Sequence, residues 1–161
     1  MVRRPDAAFV FAHPAHFVAF GFGSGLSPIA PGTVGTALAF PIYFALAHWL
    51  SPLAILLLCP ILFVIGIRAC ERTGRALGIA DHGGMNWDEI VAFLLVLAFT
   101  PSSLGWQIGA FVAFRFFDIV KPPPIGYFDR TMKGGFGVML DDLLAAFYTL
   151  LVLALARQLI G

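Results

Sequence analysis

Two acidic pairs, Asp88-Glu89 and Asp141-Asp142, each stand directly before a long uncharged apolar run. Between the pairs lie Arg115, Asp118 and Lys121, spaced three residues apart. Helix capping is one account of the pairs, since an acid at the positive end of a helix dipole gains ~0.3–1 kcal/mol. One acid per helix would satisfy it. Two adjacent acids repel, and a charge deep in a membrane costs at least ~2.5 kcal/mol, so each pair also calls for a counter-charge. Hard divalent cations take carboxylate oxygen, and Mg²⁺ usually keeps one or two carboxylates with water and phosphate. Metal binding and capping both remain open on these residues alone.

Arg115 and Asp118 share a face if their helix runs that far. Lys121 precedes Pro122-Pro123-Pro124, which ends the helix and sets an extended exit. The trio is either an ordinary ion pair at a helix end or a phosphate clamp, in which arginine offers a bidentate fork and lysine a point charge. The segment GSGLSPIAPGTVGT (23–36) reads as a loop, and it is equally double-edged. Such turns often only punctuate a chain, and no lysine follows as in a nucleotide-binding phosphate loop. Yet Ser24, Ser27, Thr33 and Thr36, with glycine amides at a helix start, have the groups to hold a phosphate. The glycines at 134, 135 and 137 let the backbone bend just before Asp141. His82 reads as a loop residue, and His13 and His16 as interfacial rather than metal-binding.

Covalent phosphate chemistry has no obvious carrier here. Cys70 is followed by Arg75 with four residues between, where a cysteine phosphatase needs five; there is no Asp-x-Asp pair, and the Ser-Gly-His and Arg-Pro signatures of phosphohistidine lipid phosphatases are missing. Water activated on a metal is the natural nucleophile.

These residues need a scaffold, and the composition indicates which. Of 161 residues 60% are hydrophobic and only 12% charged, about half the charge of a soluble domain, so much of the surface is expected to face lipid. A net charge of +1 argues against nucleic acid as a partner. Two cysteines suggest no disulfide framework. Residues 7–67 carry no Asp, Glu, Lys or Arg. Within them the first part is too interrupted to span, which assigns residues 1–20 to an interfacial segment that is retained rather than cleaved. Segments 34–50 and 52–67, joined at Ser51-Pro52, read as a membrane hairpin, each near the lower limit for crossing ~30 Å. Residues 68–89 continue the second helix and then loop. The run 90–114, broken at Pro101, reads as a second, shorter hairpin, and 143–161 as a closing helix. The expectation is a single-domain (1–161), all-α, polytopic membrane bundle of about five apolar helices, two hairpins plus a C-terminal helix, with its charged loops on one face. Nine of the ten Lys and Arg residues, all but Arg157, then share that face, which the charge bias marks as cytoplasmic.

Four motifs, GSGLSPIAPGTVGT, WDEIVAF, FRFFDIVKPPPI and GGFGVMLDDLLAAF, in this order and spacing, resemble the phosphatidylglycerophosphatase A family over roughly residues 20–150. The resemblance implies a Mg²⁺-dependent, multi-pass enzyme of the bacterial inner membrane with its site facing the cytoplasm. Such an enzyme removes the terminal phosphate of phosphatidylglycerophosphate, leaving phosphatidylglycerol and inorganic phosphate. It implies that Asp88, Glu89, Asp141 and Asp142 hold Mg²⁺, with Asp118 as a further ligand or the base. Arg115 and Lys121 would bind the terminal phosphate, making Asp118, Asp142, Lys121 and Arg115 the catalytic set. Ser24, Ser27, Thr33 and Thr36 would contact phosphate or glycerol, and bilayer lipids would hold the acyl chains. One departure is Ala92-Phe93, where many relatives have valine and glycine, which bears on helix packing. Rival readings are a phosphatase for another lipid phosphate such as phosphatidic acid, and a non-enzymatic transport or assembly protein.

Overall fold

The computed structural model describes residues 5–160, so Arg3 and Arg4, counted above with the cytoplasmic charge, lie outside the described residues. Every regular element among these is helical. Two short helices, α1 (Ala7–Phe11) and α2 (Pro14–Ala19), lead through a 3₁₀ turn at Gly21–Leu26 into α3 (Pro31–Ala47). Then follow α4 (Pro52–Leu77), α5 (Trp87–Phe99), α6 (Leu104–Val120), α7 (Ile125–Thr131) and α8 (Gly135–Ile160).

Local chemistry explains most of the boundaries. Proline occupies the first turn of α2, α3 and α4, where its missing N–H costs nothing and its φ is already helical. Ser51 caps α4 by accepting from the Ala54 N–H at 3.2 Å, and Gly78 closes that helix at φ 75°, the left-handed geometry glycine favours. α6 stops at Lys121, itself left-handed at φ 47°, because Pro122 cannot continue the ladder.

α4 continues through Gly74 to Leu77 before its loop, as expected. Two boundaries differ from the expectation. α3 begins at Pro31, so Thr33 and Thr36 sit on a helix and not in a loop. α8 starts at Gly135, so Asp141 and Asp142 lie in its second turn and do not open it. The physical reason is close packing: a Cβ on Gly135 would strike the Ile67 carbonyl of α4, and one on Gly137 the Met132 carbonyl. Those two glycines admit neighbouring backbone to a helix, and only Gly134, at φ 88°, makes the bend.

α5 is the axis of the bundle. Trp87 through Leu94, with Val96 and Leu97, are all buried, under α3, α4 and α8. Phe93 is fully buried and anchors an aromatic cluster with Phe40 (5.3 Å), Phe114 (5.4 Å) and Phe111 (5.9 Å). The N-terminal segment folds back on the bundle: Phe9, Val10 and Ala19 are buried, and buried His16 shares a 2.9 Å hydrogen bond with Thr73 of α4.

The outer helices show the reverse pattern. Leu53, Leu57 and Ile61 on α4, Leu104, Ile108, Val112 and Phe116 on α6, and Phe147, Leu151 and Leu155 on α8 are exposed large hydrophobics. They recur every fourth residue, so each helix presents an apolar stripe outward. α4 and α8 are long and apolar enough to cross a membrane, and only 28% and 39% of their most apolar stretches are buried. Core helices of a soluble protein would be mostly covered; these are not, a pattern that suits membrane association. α3 is apolar but shorter, at 17 residues.

Candidate active site

The bundle alternates in direction, which brings the starts of α3, α5 and α8 to the same end as the finishes of α4 and α6. Arg157 lies near the other end, lining a hollow with Phe99 and Pro101. Asn86 sets up the catalytic end. Its side-chain amide donates to the Pro31 carbonyl and to the Ser24 hydroxyl, both at 2.9 Å, and its backbone N–H donates to the Ala19 carbonyl at 3.0 Å. One buried residue thereby ties the glycine-rich turn and the head of α3 to the first turn of α5. Trp87 adds a second tie by donating to the Leu62 carbonyl of α4 at 3.1 Å.

Glu89 points from α5 toward α6. Its Oε1 accepts from Arg115 Nη1 at 2.9 Å, and the same nitrogen donates to Asp118 Oδ2 at 2.6 Å and to the Thr36 hydroxyl at 3.3 Å. Gly32 makes room for this arrangement, because a Cβ there would strike the Glu89 carboxylate. Asp142 enters from α8. Oxygens of Glu89, Asp118 and Asp142 lie within 4.8 Å of one another. The surrounding side chains are nearly closed off, with Arg115, Glu89 and Asp118 each 12–15% exposed.

Lys121 organises a second knot. It donates to Asp129 of α7 at 2.7 Å and to Asp141 of α8. Burial works against its charge, but the two carboxylates outweigh that and hold its pKa above the ordinary lysine range. The hydrogen bond from Lys121, with the charge behind it, keeps the Asp129 carboxyl below its usual range.

The acidic pairs are therefore split. Glu89 and Asp142 join Asp118, whereas Asp141 turns to Lys121, and Asp88 turns into an apolar recess lined by Cys59, Val91, Leu95 and Leu143. Asp88 still belongs to the same electrostatic neighbourhood, for Glu89, Asp141 and Asp118 all act on it. Of the four hydroxyls, Thr36 reaches Arg115 and Ser24 reaches Asn86. Ser27 bonds the Ile29 carbonyl at the surface, and Thr33 lies part-buried on α3 with no side-chain bond to the cluster. His82 accepts from the Gly84 N–H within its own loop. The sequence singles out neither Asn86 nor Gly32, and it shows Asp129 only as one of the ionisable groups between Arg115 and Asp142, without a role. Asn86 alone carried a signal, an asparagine at the cap position two residues before an acid.

Three hard oxygen donors this close are unfavourable without a counter-charge, and Arg115 supplies one positive charge against three carboxylates. Glu89 Oε2 and Asp88 Oδ1 are buried without a hydrogen-bond partner among the described residues. Buried acceptors left unpaired are costly, and a small divalent cation is the ligand that oxygen donors of this kind fit. Glu89, Asp118 and Asp142 have the chemistry to hold it.

Residues 17–157 match the family model described as phosphatidylglycerophosphatase A. The chain is 44% identical over 141 residues to phosphatidylglycerophosphatase A of Haemophilus influenzae, covering 87% of this chain and 86% of that one. It is 40% identical over 139 residues to phosphatidylglycerophosphatase A of Escherichia coli K12, covering 83% and 78%. A Bacteroides thetaiotaomicron protein, named provisionally a phosphatidylinositol-3-phosphatase, is 40% identical over 149 residues, covering 88% and 92%. No solved structure matches.

Proposed function

This chain belongs to the phosphatidylglycerophosphatase A family of phosphoric monoester hydrolases, and on that premise we propose that it hydrolyses the terminal phosphate of phosphatidylglycerophosphate with Mg²⁺ as cofactor. The products are phosphatidylglycerol and inorganic phosphate. The observation that carries this reading is the convergence of Glu89, Asp118 and Asp142 around Arg115. We place the enzyme in the bacterial inner membrane as a multi-pass bundle of about five apolar helices, its charged end in the cytoplasm. The Lys/Arg bias of the sequence supports that orientation.

Glu89, Asp118 and Asp142 would hold the cation, which when bound supplies Lewis acidity toward phosphoryl oxygen and offsets the carboxylate charge. Arg115 is fixed by Glu89 and Asp118, so its remaining N–H donors reach the terminal phosphate without reorganising, as transition-state stabilisation requires. Lys121 has three donors. Two hold Asp129 and Asp141, and the third serves a phosphate oxygen. Water attacks phosphorus as the bond to the glycerol oxygen breaks. Asp142, the member of the trio that forms no ion pair among the described residues, takes the proton from that water. The leaving glycerol alkoxide takes that same proton from Asp142 and becomes the hydroxyl, which returns Asp142 to its ionised form.

The relative from Bacteroides thetaiotaomicron keeps a second reading in view, a different lipid phosphate at the same site. The test is phosphate release by purified enzyme from phosphatidylglycerophosphate, phosphatidic acid and phosphatidylinositol 3-phosphate, each with Mg²⁺ and with EDTA. Preference for the first, abolished by EDTA and restored by Mg²⁺, is the expected result. Equal or better turnover of another lipid would replace the substrate, and turnover indifferent to EDTA would remove the cation.

A further inference from the structure

A cavity of about 290 Å³ opens between α4, α5 and α8, directly below the carboxylate trio. Its walls are Leu56 and Cys59 of α4, Val91, Ala92 and Leu95 of α5, and Leu143 of α8, with Asp88 as its one charged residue. The spacing makes it a track leading away from the chemistry. Asp88 neighbours Glu89 and Leu143 neighbours Asp142, and the α5 wall descends from Asp88 through Val91 and Ala92 to Leu95, a run of roughly 10 Å at 1.5 Å per residue. Asp88 is 8% exposed and its Oδ1 has no hydrogen-bond partner among the described residues, so the upper end of the slot is polar, where a hydroxyl or water can donate and hydrocarbon cannot, and the rest is apolar.

An apolar void of this kind stays dry, and its lining forfeits packing contacts until something fills it. The size decides what can. There is space for on the order of ten groups of water or methylene size, and none for a helix, whose diameter is about 10–12 Å. A stretch of about ten carbons of one hydrocarbon chain fits; a partner helix or a second copy of this protein does not. The two flanking helices are those long and apolar enough to cross a membrane, and their outward stripes offer a path in from lipid.

We propose that this cavity binds one acyl chain of the lipid phosphate, so that the protein, and not the bilayer alone, grips the hydrocarbon and sets chain-length preference. The proposal deepens the functional reading above and rests on it for the identity of the lipid. Ala92 is the gate residue, because a larger side chain there projects into the slot.

The experiment has two arms. Purified Ala92→Phe is compared with the parent on dipalmitoyl and on water-soluble dibutyryl phosphatidylglycerophosphate. The expected result is a rise in KM of about tenfold for the long-chain lipid with the short-chain kinetics unchanged; an equal effect on both, or on neither, overturns the proposal. Where that variant does not fold, Leu95→Ala enlarges the slot instead, and the relative kcat/KM should shift toward longer chains. An unaltered chain-length profile is equally fatal. The second arm needs no turnover: a phosphatidic acid with a diazirine near the end of one chain is photolysed on the parent protein in micelles. Label concentrated in 56–63, 91–95 and 139–147 supports the slot, and label spread along the exposed stripe of α6 refutes it. Parent enzyme that releases no phosphate from any tested lipid would sink the functional reading while leaving the labelling result to judge the cavity.

Discussion

Asp118→Asn separates the stability of the cluster from its activity. Asp118 receives a 2.6 Å charge-assisted hydrogen bond from Arg115, an interaction of about 1.5–3 kcal/mol. An amide oxygen keeps part of that. Against it stand Glu89 and Asp142, whose oxygens are no more than 4.8 Å away. Two unit charges at that separation repel by about 3.5 kcal/mol at an effective dielectric of 20, and the low exposure of these side chains limits screening. In EDTA, where no cation offsets the repulsion, removing one charge should leave the protein as stable as the parent or more stable by about 1–3 kcal/mol. With Mg²⁺ at a hundred times its Kd, the parent should gain about 2.7 kcal/mol, roughly 5–11 °C in Tm for a chain of this size. The variant, short of one ligand, should gain less than a third of that shift. Its turnover should fall by about 10²–10³-fold, the scale of a lost electrostatic partner at a reacting centre. Thermal unfolding in detergent with EDTA and with Mg²⁺, paired with phosphate release, measures all three. A variant that melts several degrees lower in EDTA and keeps the full Mg²⁺ shift would refute the idea that these carboxylates are crowded together to hold a cation.

Gly32→Ala should displace the Glu89 carboxylate and lower kcat by at least tenfold while Tm moves by little, because the obstructed group is the flexible end of a side chain; steady-state kinetics with normal turnover would show that Glu89 need not sit where it does. Asn86→Ala removes the donors to the Pro31 carbonyl and the Ser24 hydroxyl and should destabilise by about 0.5–1.5 kcal/mol for each lost bond; an unchanged denaturation midpoint contradicts this. Lys121→Met should lose the same stability at every pH from about 7.5 to 9. The Lys121 pKa is raised, so its contribution is complete below ~10.4 and fades only as pH climbs past the folded value; the Asp129 pKa is lowered, so its share is complete above ~3.9 and fades only as pH falls through the folded value. A loss that varies across that window in unfolding curves would mean another group titrates with the pair.

Much of the scaffold was legible because apolar runs and prolines act locally. Ser51-Pro52 and Pro101 mark turns that any reading of the sequence finds, and the helices between them follow. The start of α8 was hidden for a physical reason. Gly134, Gly135 and Gly137 look alike in sequence, yet one is a left-handed hinge and the other two are helical positions pressed against backbone from α4 and from the turn before α8. For Gly135 the deciding neighbour, Ile67 of α4, is distant in the chain, and no local rule supplies it. The fold-back of α1 and α2 was hidden likewise, since the burial of His16 depends on Thr73, 57 positions later.

The candidate site shows the same division more sharply. The residue types were readable, and so was their gathering at one end of the bundle. The grouping was not, because adjacency in a chain is not adjacency in space. On an α-helix consecutive side chains diverge by about 100°, so neither Asp88 and Glu89 nor Asp141 and Asp142 can aim at a single point. One member of each pair must face the centre and the other must face elsewhere. The helical phase sends Glu89 and Asp142 inward to Asp118, leaves Asp141 to Lys121, and directs Asp88 into the apolar slot. An acidic doublet at a membrane boundary is thus better read as two single acids serving different partners. The second member of each doublet then needs its own explanation: for Asp141 it is a lysine, and for Asp88 it is a place at the mouth of the apolar slot.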